Sequence, residues 1–123
     1  MAVMGDGSMM YSIQALWTAA RHGVRLTVVV LNNREYGAMK EFKTLFGISA
    51  FPDVIEKSLD LPGIDLPATV EGLGVRGIRT DRTADLHEIL REALKFDGPM
   101  VVDASVGPVA RHRTDLVVRL SFG

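Results

Sequence analysis

The chain has 123 residues, 47% of them hydrophobic and 24% charged, which is the composition of a globular protein of about one domain. Its net charge of −1 predicts binding neither to nucleic acid nor to a membrane surface. No apolar run approaches the roughly 20 residues that span a bilayer, and the first residues lack the pattern of a signal peptide, so a cytoplasmic location is expected. Because there is no cysteine, any metal ion must be held by oxygen or imidazole ligands.

The first part of the chain predicts a strand, a helix, a strand and a helix. Residues 2–4 are a short apolar run ended by a glycine, as at the end of a buried strand. Residues 9–22 repeat apolar side chains at steps of three and four, which predicts one amphipathic helix. Residues 26–31 are β-branched and apolar, a pattern typical of a strand covered on both faces. A second helix is predicted for residues 36–46.

A long irregular connection is predicted next, because residues 47–67 carry three prolines and two glycines. Leu66, Val70 and Leu73 are spaced as on a short helix. Residues 75–79 then form a candidate strand.

The last predicted helix covers residues 84–96, with Thr83 as its N-cap. Its inner face is predicted to consist of Leu86, Ile89, Leu90, Ala93 and Leu94. Residues 100–104 are another strand of the buried type, and residues 107–123 give no clear assignment. This alternation of strands and helices predicts an α/β fold, a mostly parallel sheet with helices on both faces.

Polar clusters follow the first two predicted strands. Gly5-Asp6-Gly7-Ser8 follows the first, and Asn32-Asn33 follows the second, with 24 residues between Gly7 and Asn32. Ligands of parallel sheets bind beyond the carboxyl ends of the strands, so Asp6 and Asn33 share one space if the two strands are neighbours. Their oxygens suit Mg²⁺ completed by substrate phosphates, and the helix expected from Met9 would point its free amides at the same place. Each cluster alone is an ordinary turn; the pairing is the specific signal.

The same pairing resembles the diphosphate and magnesium motif of thiamine diphosphate-dependent enzymes. The segments most similar to benzoylformate decarboxylases and related 2-oxo acid decarboxylases are "GDGSMMYSIQALWTAARHGV", "NNREYGAMKEF", "LDLPGIDLPATVEGLGV" and "GPMVVDASVGPV". The resemblance covers about residues 1–110 and implies the C-terminal part of a thiamine diphosphate-binding (PP-type) domain. Residues 111–123 extend beyond it as a tail of uncertain structure.

The resemblance also implies roles for single residues. Asp6 and Asn33 would be side-chain ligands of Mg²⁺, and Glu35 would contribute its backbone carbonyl, which makes its side chain incidental. The residues implied at the cofactor are Gly5, Asp6, Gly7, Ser8, Asn33 and Tyr36. Met39 and Phe42 match positions that line the substrate pocket, although a core stripe on a helix explains Met39 equally well.

The implied activity is the non-oxidative decarboxylation of a 2-oxo acid to an aldehyde by a carbon-carbon lyase that uses thiamine diphosphate and Mg²⁺. No catalytic residue is expected in this chain, because the activating glutamate of such enzymes lies on a pyrimidine-binding domain, usually of a second subunit. The chain is therefore expected to be a fragment, a truncated product or half of a split enzyme, inactive alone and prone to form a homo-oligomer. An acetolactate synthase-like carboligase and a non-catalytic assembly domain remain the alternatives.

Overall fold

The computed structural model describes residues 1–48 and 53–107. The elements, in chain order, are β1 (Ala2–Gly5), α1 (Asp6–Met10), α2 (Ala15–Arg21), β2 (Leu26–Asn32), α3 (Gly37–Leu45), α4 (Asp53–Ser58), α5 (Leu66–Glu71), β3 (Arg76–Thr80), α6 (Thr83–Lys95) and β4 (Pro99–Ser105). None of the described helices is both long enough and apolar enough to cross a membrane.

The four strands form one sheet in the order β1-β2-β4-β3, and each neighbouring pair is parallel. β1 lies directly beside β2, with Gly5 paired to Leu31. Parallel neighbours need a crossover between them, and helices supply each one. The predicted α/β class is therefore confirmed, and the first two strands meet the condition of being neighbours.

Helices cover both faces of the sheet. On one face, α1, α2 and α5 pack on β2 and β4 around buried apolar side chains: Met9, Leu16, Val28, Val30, Leu66, Val70, Val75 and Val101. On the other face, α6 packs through Ala93 against Met100 and Val102. The alternation of Val101 and Val102 between the two clusters follows from the two-residue period of a strand.

The contact between α5 and β3 depends on Gly77. A Cβ at Gly77 would lie 2.6 Å from the Cα of Pro67 and 2.8 Å from its carbonyl oxygen. Because backbone atoms cannot give way as a side-chain tip can, only glycine lets the strand approach the helix this closely. The helix itself begins after Asp65, whose carboxylate accepts a hydrogen bond from the amide of Ala68.

The single helix predicted for residues 9–22 is wrong. The structure instead has two helices, α1, which begins at Asp6, and α2. In the turn between them, hydrogen bonds join residues three positions apart, as from Ala15 N to Ser12 O at 2.9 Å. Tighter winding of this kind breaks the α-helical hydrogen-bond ladder while it keeps the chain coiled. The apolar periodicity is therefore nearly continuous although the α-helix is interrupted.

Three further expectations need correction. The connection over residues 47–67 contains α4, whose six residues are too few to show a period. Thr83 is the first residue of α6 and not its N-cap, which is Arg82. Leu94 is 54% exposed, so it does not belong to the inner face of that helix. The tail predicted over residues 111–123 lies outside the described residues.

Candidate functional site

The carboxyl ends of β1 and β2 bring the two polar clusters together. Gly5 pairs with Leu31 across these strands, so α1 begins beside the point where β2 reaches Asn32. The order and direction of these two strands thus produce the convergence that the spacing predicts.

Asp6 is a buried polar residue at this edge. It is 5% exposed, and its Oδ2 atom has no hydrogen-bond partner among the described residues. It borders a small open cleft, lined by Asp6, Met10, Asn32, Leu61, Ile64 and Leu66. Four of the six lining residues have apolar side chains, and Oδ2 of Asp6 receives no hydrogen bond from the described residues.

The unpartnered oxygen of Asp6 fits a cation. A buried acceptor without a partner costs on the order of 1–3 kcal/mol, and more when it is charged. Within residues 1–48 and 53–107 there is no group of three or more Asp, Glu or His side chains that could hold a metal. A cation at Asp6 would need its other ligands from amide or carbonyl oxygens and from a bound phosphate, which is the donor set Mg²⁺ accepts.

The two asparagines have different surroundings. Asn32 is buried, lines the cleft and donates through Nδ2 to Oδ1 of Asp103 at 2.9 Å. Asn33 is half-buried, and its Oδ1 accepts a hydrogen bond from the amide of Glu35 at 3.2 Å. A carbonyl oxygen has two lone pairs, so Asn33 keeps one for a cation. The sequence interpretation gave no role to Asn32, although a polar residue that ends an apolar strand was a signal for one.

The loop after β2 is fastened to the segment at residues 59–61. Arg34 has a left-handed backbone, with φ 61°, and its carbonyl accepts from the amide of Leu61 at 2.8 Å. The amide of Tyr36 donates to the carbonyl of Leu59, also at 2.8 Å. These bonds fix the path of the backbone past Glu35, whose carbonyl is an implied ligand.

Gly7 and Tyr36 are in contact. Gly7 is buried, and a Cβ there would lie 2.7 Å from Cδ1 of the Tyr36 ring. The ring also lies 6.1 Å from that of Tyr11, tilted by 57°. The structure thus brings together two residues that the resemblance assigned to the cofactor from distant parts of the chain.

The side chain of Glu35 is not incidental. Lys40 Nζ donates to Glu35 Oε2 and to Asp60 Oδ1, each at 2.5 Å. The hydrogen bond to Asp60, followed by that to Glu35, raises the pKa of Lys40 above its ordinary value. The ion pairs join the first turns of α3 to the segment that lines the cleft through Leu61.

The other candidate residues lie around this core. Gly5 ends β1 in an extended conformation, and Ser8 is exposed on α1. Met39 and Phe42 are 54% and 53% exposed on α3 and do not line the cleft at Asp6. A substrate pocket at these two residues stays a prediction, and so do the ligand roles of the other candidates.

The fold and the site define a class of protein: an α/β domain with a buried carboxylate in a cleft at the carboxyl ends of adjacent parallel strands. The family model described as the thiamine pyrophosphate enzyme, C-terminal TPP-binding domain, matches residues 1–104. The chain belongs to this family. The resemblance that the motif suggested is therefore confirmed at the level of the family.

Individual relatives agree with this assignment. A benzoylformate decarboxylase of Pseudomonas aeruginosa is 36% identical over 101 residues, which cover 82% of this chain and 18% of that protein. An acetolactate synthase of Mycobacterium bovis is 30% identical over 113 residues, which cover 89% of this chain and 18% of the synthase.

Solved structures give the same result. The thiamine diphosphate-dependent 4-hydroxybenzoylformate decarboxylase of Rhodococcus jostii has a TM-score of 0.77 at 34% identity, over 85% of this chain and 19% of that one. The benzoylformate decarboxylase of Polynucleobacter necessarius has a TM-score of 0.80 at 31% identity, over 89% of this chain and 20% of that one. The chain thus spans about a fifth of the length of the relatives it matches.

Proposed function

We propose that this chain is the part of a benzoylformate decarboxylase-like 2-oxo acid decarboxylase that binds the diphosphate of thiamine diphosphate through Mg²⁺. The observation that carries this proposal is the Asp6 carboxylate, which is buried with Oδ2 unpartnered in a cleft that it shares with Asn32, the last residue of the next strand. Membership of the thiamine pyrophosphate enzyme family supports the identity of the cofactor.

The residues of the chain would bind and orient the cofactor. Asp6 and Asn33 would hold Mg²⁺ through side-chain oxygens, and Glu35 through its backbone carbonyl. Gly5, Gly7 and Ser8 would meet the diphosphate through amide or hydroxyl groups, with the ring of Tyr36 against it. When bound, thiamine diphosphate supplies the electron sink that a 2-oxo acid needs to lose carbon dioxide and leave as an aldehyde.

Turnover would need a second component. No acid or base for the reaction is assigned to this chain, and the activating glutamate is expected on a pyrimidine-binding domain of the same protein or of a second subunit. Met39 and Phe42, exposed on α3, would line the substrate pocket once that component is in place. We expect the complete assembly to be a homo-oligomer and the 123-residue chain to be inactive by itself.

A calorimetric titration with thiamine diphosphate and Mg²⁺ tests the metal site. Asp6→Asn keeps the shape of the side chain and removes its charge, so we expect the heat of Mg²⁺-dependent binding to vanish. Asp81→Asn makes the same change at an exposed loop position and should bind as the wild type does. Equal heats for the wild type and Asp6→Asn would contradict the proposed ligand role.

A carboligase is the second candidate function, because an acetolactate synthase is among the relatives at 30% identity. The two reactions give different products from the complete protein supplied with pyruvate or benzoylformate. An aldehyde as sole product supports the decarboxylase, and a hydroxy-keto acid supports the synthase. If neither Mg²⁺ nor thiamine diphosphate binds, the remaining interpretation is a non-catalytic assembly domain.

A further inference from the structure

A fully buried carboxylate lies behind the loop that carries the implied metal ligands. Asp103, on β4, is 0% exposed and accepts two hydrogen bonds. Asn32 Nδ2 donates to its Oδ1 at 2.9 Å, and Arg79 Nε donates to its Oδ2 at 2.8 Å. Neither Asp103 nor Arg79 belongs to the motif that identifies the cofactor site.

Burial of this carboxylate is balanced by Arg79. The hydrogen bond to Asp103 raises the pKa of the Arg79 guanidinium, which also donates through Nη2 to Oδ1 of Asp65 at 3.1 Å. A buried charge without such a partner would cost several kcal/mol. The pair with Arg79 therefore keeps an anion next to Asn32. An uncharged hydrogen-bond acceptor at this position would have a smaller desolvation penalty.

The anion decides which way the Asn32 amide faces. An ionised carboxylate only accepts hydrogen bonds, whereas an asparagine side chain has one donor end and one acceptor end. Asn32 must therefore turn its NH₂ group to Asp103, which leaves its Oδ1 pointing to the chain that follows. That oxygen accepts the amide of Arg34 at 3.1 Å.

The hydrogen bond to Arg34 supports a conformation that L residues disfavour. With φ at 61°, Arg34 is in the left-handed region, which costs roughly 1–2 kcal/mol for a residue with a Cβ. The amide of Arg34 donates a hydrogen bond to Asn32 Oδ1, and its carbonyl accepts one from the amide of Leu61. Asn33 and Glu35, the neighbours of Arg34, are the implied ligands from this loop.

We propose that Asp103 is a positioning residue for the metal-binding loop: by fixing the orientation of the Asn32 amide, it holds Arg34 in the left-handed turn that presents Asn33 and the Glu35 carbonyl to the cation. This inference rests on the proposed function for the identity of the ligand. The relay of hydrogen bonds from Arg79 to Arg34 stands on the geometry alone.

Asp103→Asn is the direct test, because it exchanges one acceptor for a donor without a change of shape. The charged guanidinium of Arg79 forms the stronger hydrogen bond and takes the one remaining oxygen. The new NH₂ group then faces the NH₂ of Asn32, and the Asn32 amide loses its fixed orientation. Asp65→Asn is the matched control, since Asp65 also accepts from Arg79, whereas the side-chain hydrogen bonds described for Asn32 go to Asp103 and Arg34.

The exchange Asn32→Asp with Asp103→Asn restores the relay. The new amide side chain at position 103 accepts from Arg79 and donates to the new carboxylate at position 32, which can still accept the Arg34 amide. Every hydrogen bond regains a donor and an acceptor, with the negative charge moved by one side chain. A role of Asp103 in packing alone would gain nothing from this exchange.

Two readouts on the 123-residue chain are compared among folded variants. The first is hydrogen exchange at the Arg34 amide by NMR, with the Val30 amide of β2 as internal reference. The second is the affinity for Mn²⁺ in the presence of thiamine diphosphate, from the loss of the free-ion signal in electron paramagnetic resonance. Loss of a group that orients metal ligands typically lowers metal affinity by about 10- to 100-fold.

The expected result has three parts. Asp103→Asn speeds exchange at Arg34 but not at Val30 and weakens Mn²⁺ binding at least tenfold, and Asp65→Asn changes neither. The double exchange returns the Arg34 exchange rate to the wild-type level; its Mn²⁺ affinity does not test the relay, because the carboxylate at position 32 lines the cleft beside Asp6. Where Asp103→Asn does not fold, Arg34 exchange in the double exchange decides: a wild-type rate supports the proposal, and a faster rate overturns it.

The proposal would also be overturned if folded Asp103→Asn showed the same Arg34 amide exchange and the same Mn²⁺ affinity as the wild type. Failure of the proposed function is recognised separately, because the wild type would then bind no Mn²⁺ while the Arg34 exchange readout still tests the relay.

Discussion

Asp6 and Gly7 show how adjacent residues at one turn meet different demands. Asp6 places a charged oxygen in a cleft with no partner for it among the described residues, a cost that a bound cation would remove. Gly7 lets the aromatic ring of Tyr36 approach the start of α1. The sequence motif alone predicts the carboxylate, whereas the need for a glycine at position 7 becomes clear only from the position of Tyr36.

Gly7→Ala is expected to destabilise the chain. In a helix this change would ordinarily stabilise by up to about 1 kcal/mol, but the new Cβ would lie 2.7 Å from the Tyr36 ring. We expect the free energy of unfolding in urea to fall by about 1–3 kcal/mol, as for other overpacked sites.

Tyr36→Ala provides the control for this change. In that background the ring is gone, so Gly7→Ala should cost nothing or stabilise slightly. An equal loss of stability from Gly7→Ala with and without the ring would show that the contact is not the cause.

At the scale of elements, the loop after β2 and the first turns of α3 are held against residues 59–61. Two backbone hydrogen bonds and the ion pairs of Lys40 with Glu35 and Asp60 form this attachment. Most of these contacts join residues 20 or more positions apart, for which the sequence offers no local pattern. The attachment was therefore missed, and the segment that contains it was predicted as an irregular connection.

The Lys40 ion pairs predict a pH dependence of stability. Because the pKa of Lys40 is raised on folding, its contribution is complete below the unfolded value of about 10.5 and is lost as the pH rises through the higher folded value. The pairs are partly exposed, so we expect them to contribute about 0.5–1 kcal/mol.

Lys40→Met measures this contribution. The difference in unfolding free energy between the wild type and Lys40→Met should be constant from neutral pH to about pH 9 and shrink above pH 10.5. Lys95→Met, at the exposed end of α6, is the control and should show no such trend. A difference that stays constant through pH 11 would contradict the role of the ion pairs.

Strands and helices with a clear pattern of apolar residues were predicted well from the sequence. Features that depend on a local break in a helix or on a contact between distant residues were missed. The strands β2 and β4 are rich in apolar residues, and their ends were placed within a residue or two. The break between α1 and α2 left the spacing of apolar residues almost unchanged, so no pattern marked it. Asn32 was interpreted as half of a turn, because its hydrogen bond to Asp103 joins residues 71 positions apart.

For the whole molecule, the sheet face that carries α6 is covered only in part. Val3 and Leu31 lie on this face, in register with Val29 and Ala104, yet they are 58% and 43% exposed. β1 is also an edge strand of the described sheet, which leaves its outer backbone groups available for pairing. An apolar edge of this kind favours self-association.

Val3→Thr with Leu31→Thr is expected to weaken self-association of the 123-residue chain, because it makes this face polar while it keeps residues that suit strands. Sedimentation equilibrium should show a lower average mass than for the wild type at equal concentration. Val24→Thr makes the same change at an exposed position between α2 and β2, and its mass should match the wild type. Equal average masses for all three proteins would show that any self-association does not use the face that carries Val3 and Leu31.

The central claim is that Asp6 and Asn33 hold a divalent cation at the carboxyl ends of β1 and β2. Its most direct test is a crystal of the chain grown with thiamine diphosphate and Mn²⁺, examined for anomalous scattering. We expect one peak at the ligand distance of about 2.0–2.6 Å from Asp6 Oδ2 and Asn33 Oδ1. A peak at other residues, with Asp6 Oδ2 beyond ligand distance, would contradict the account.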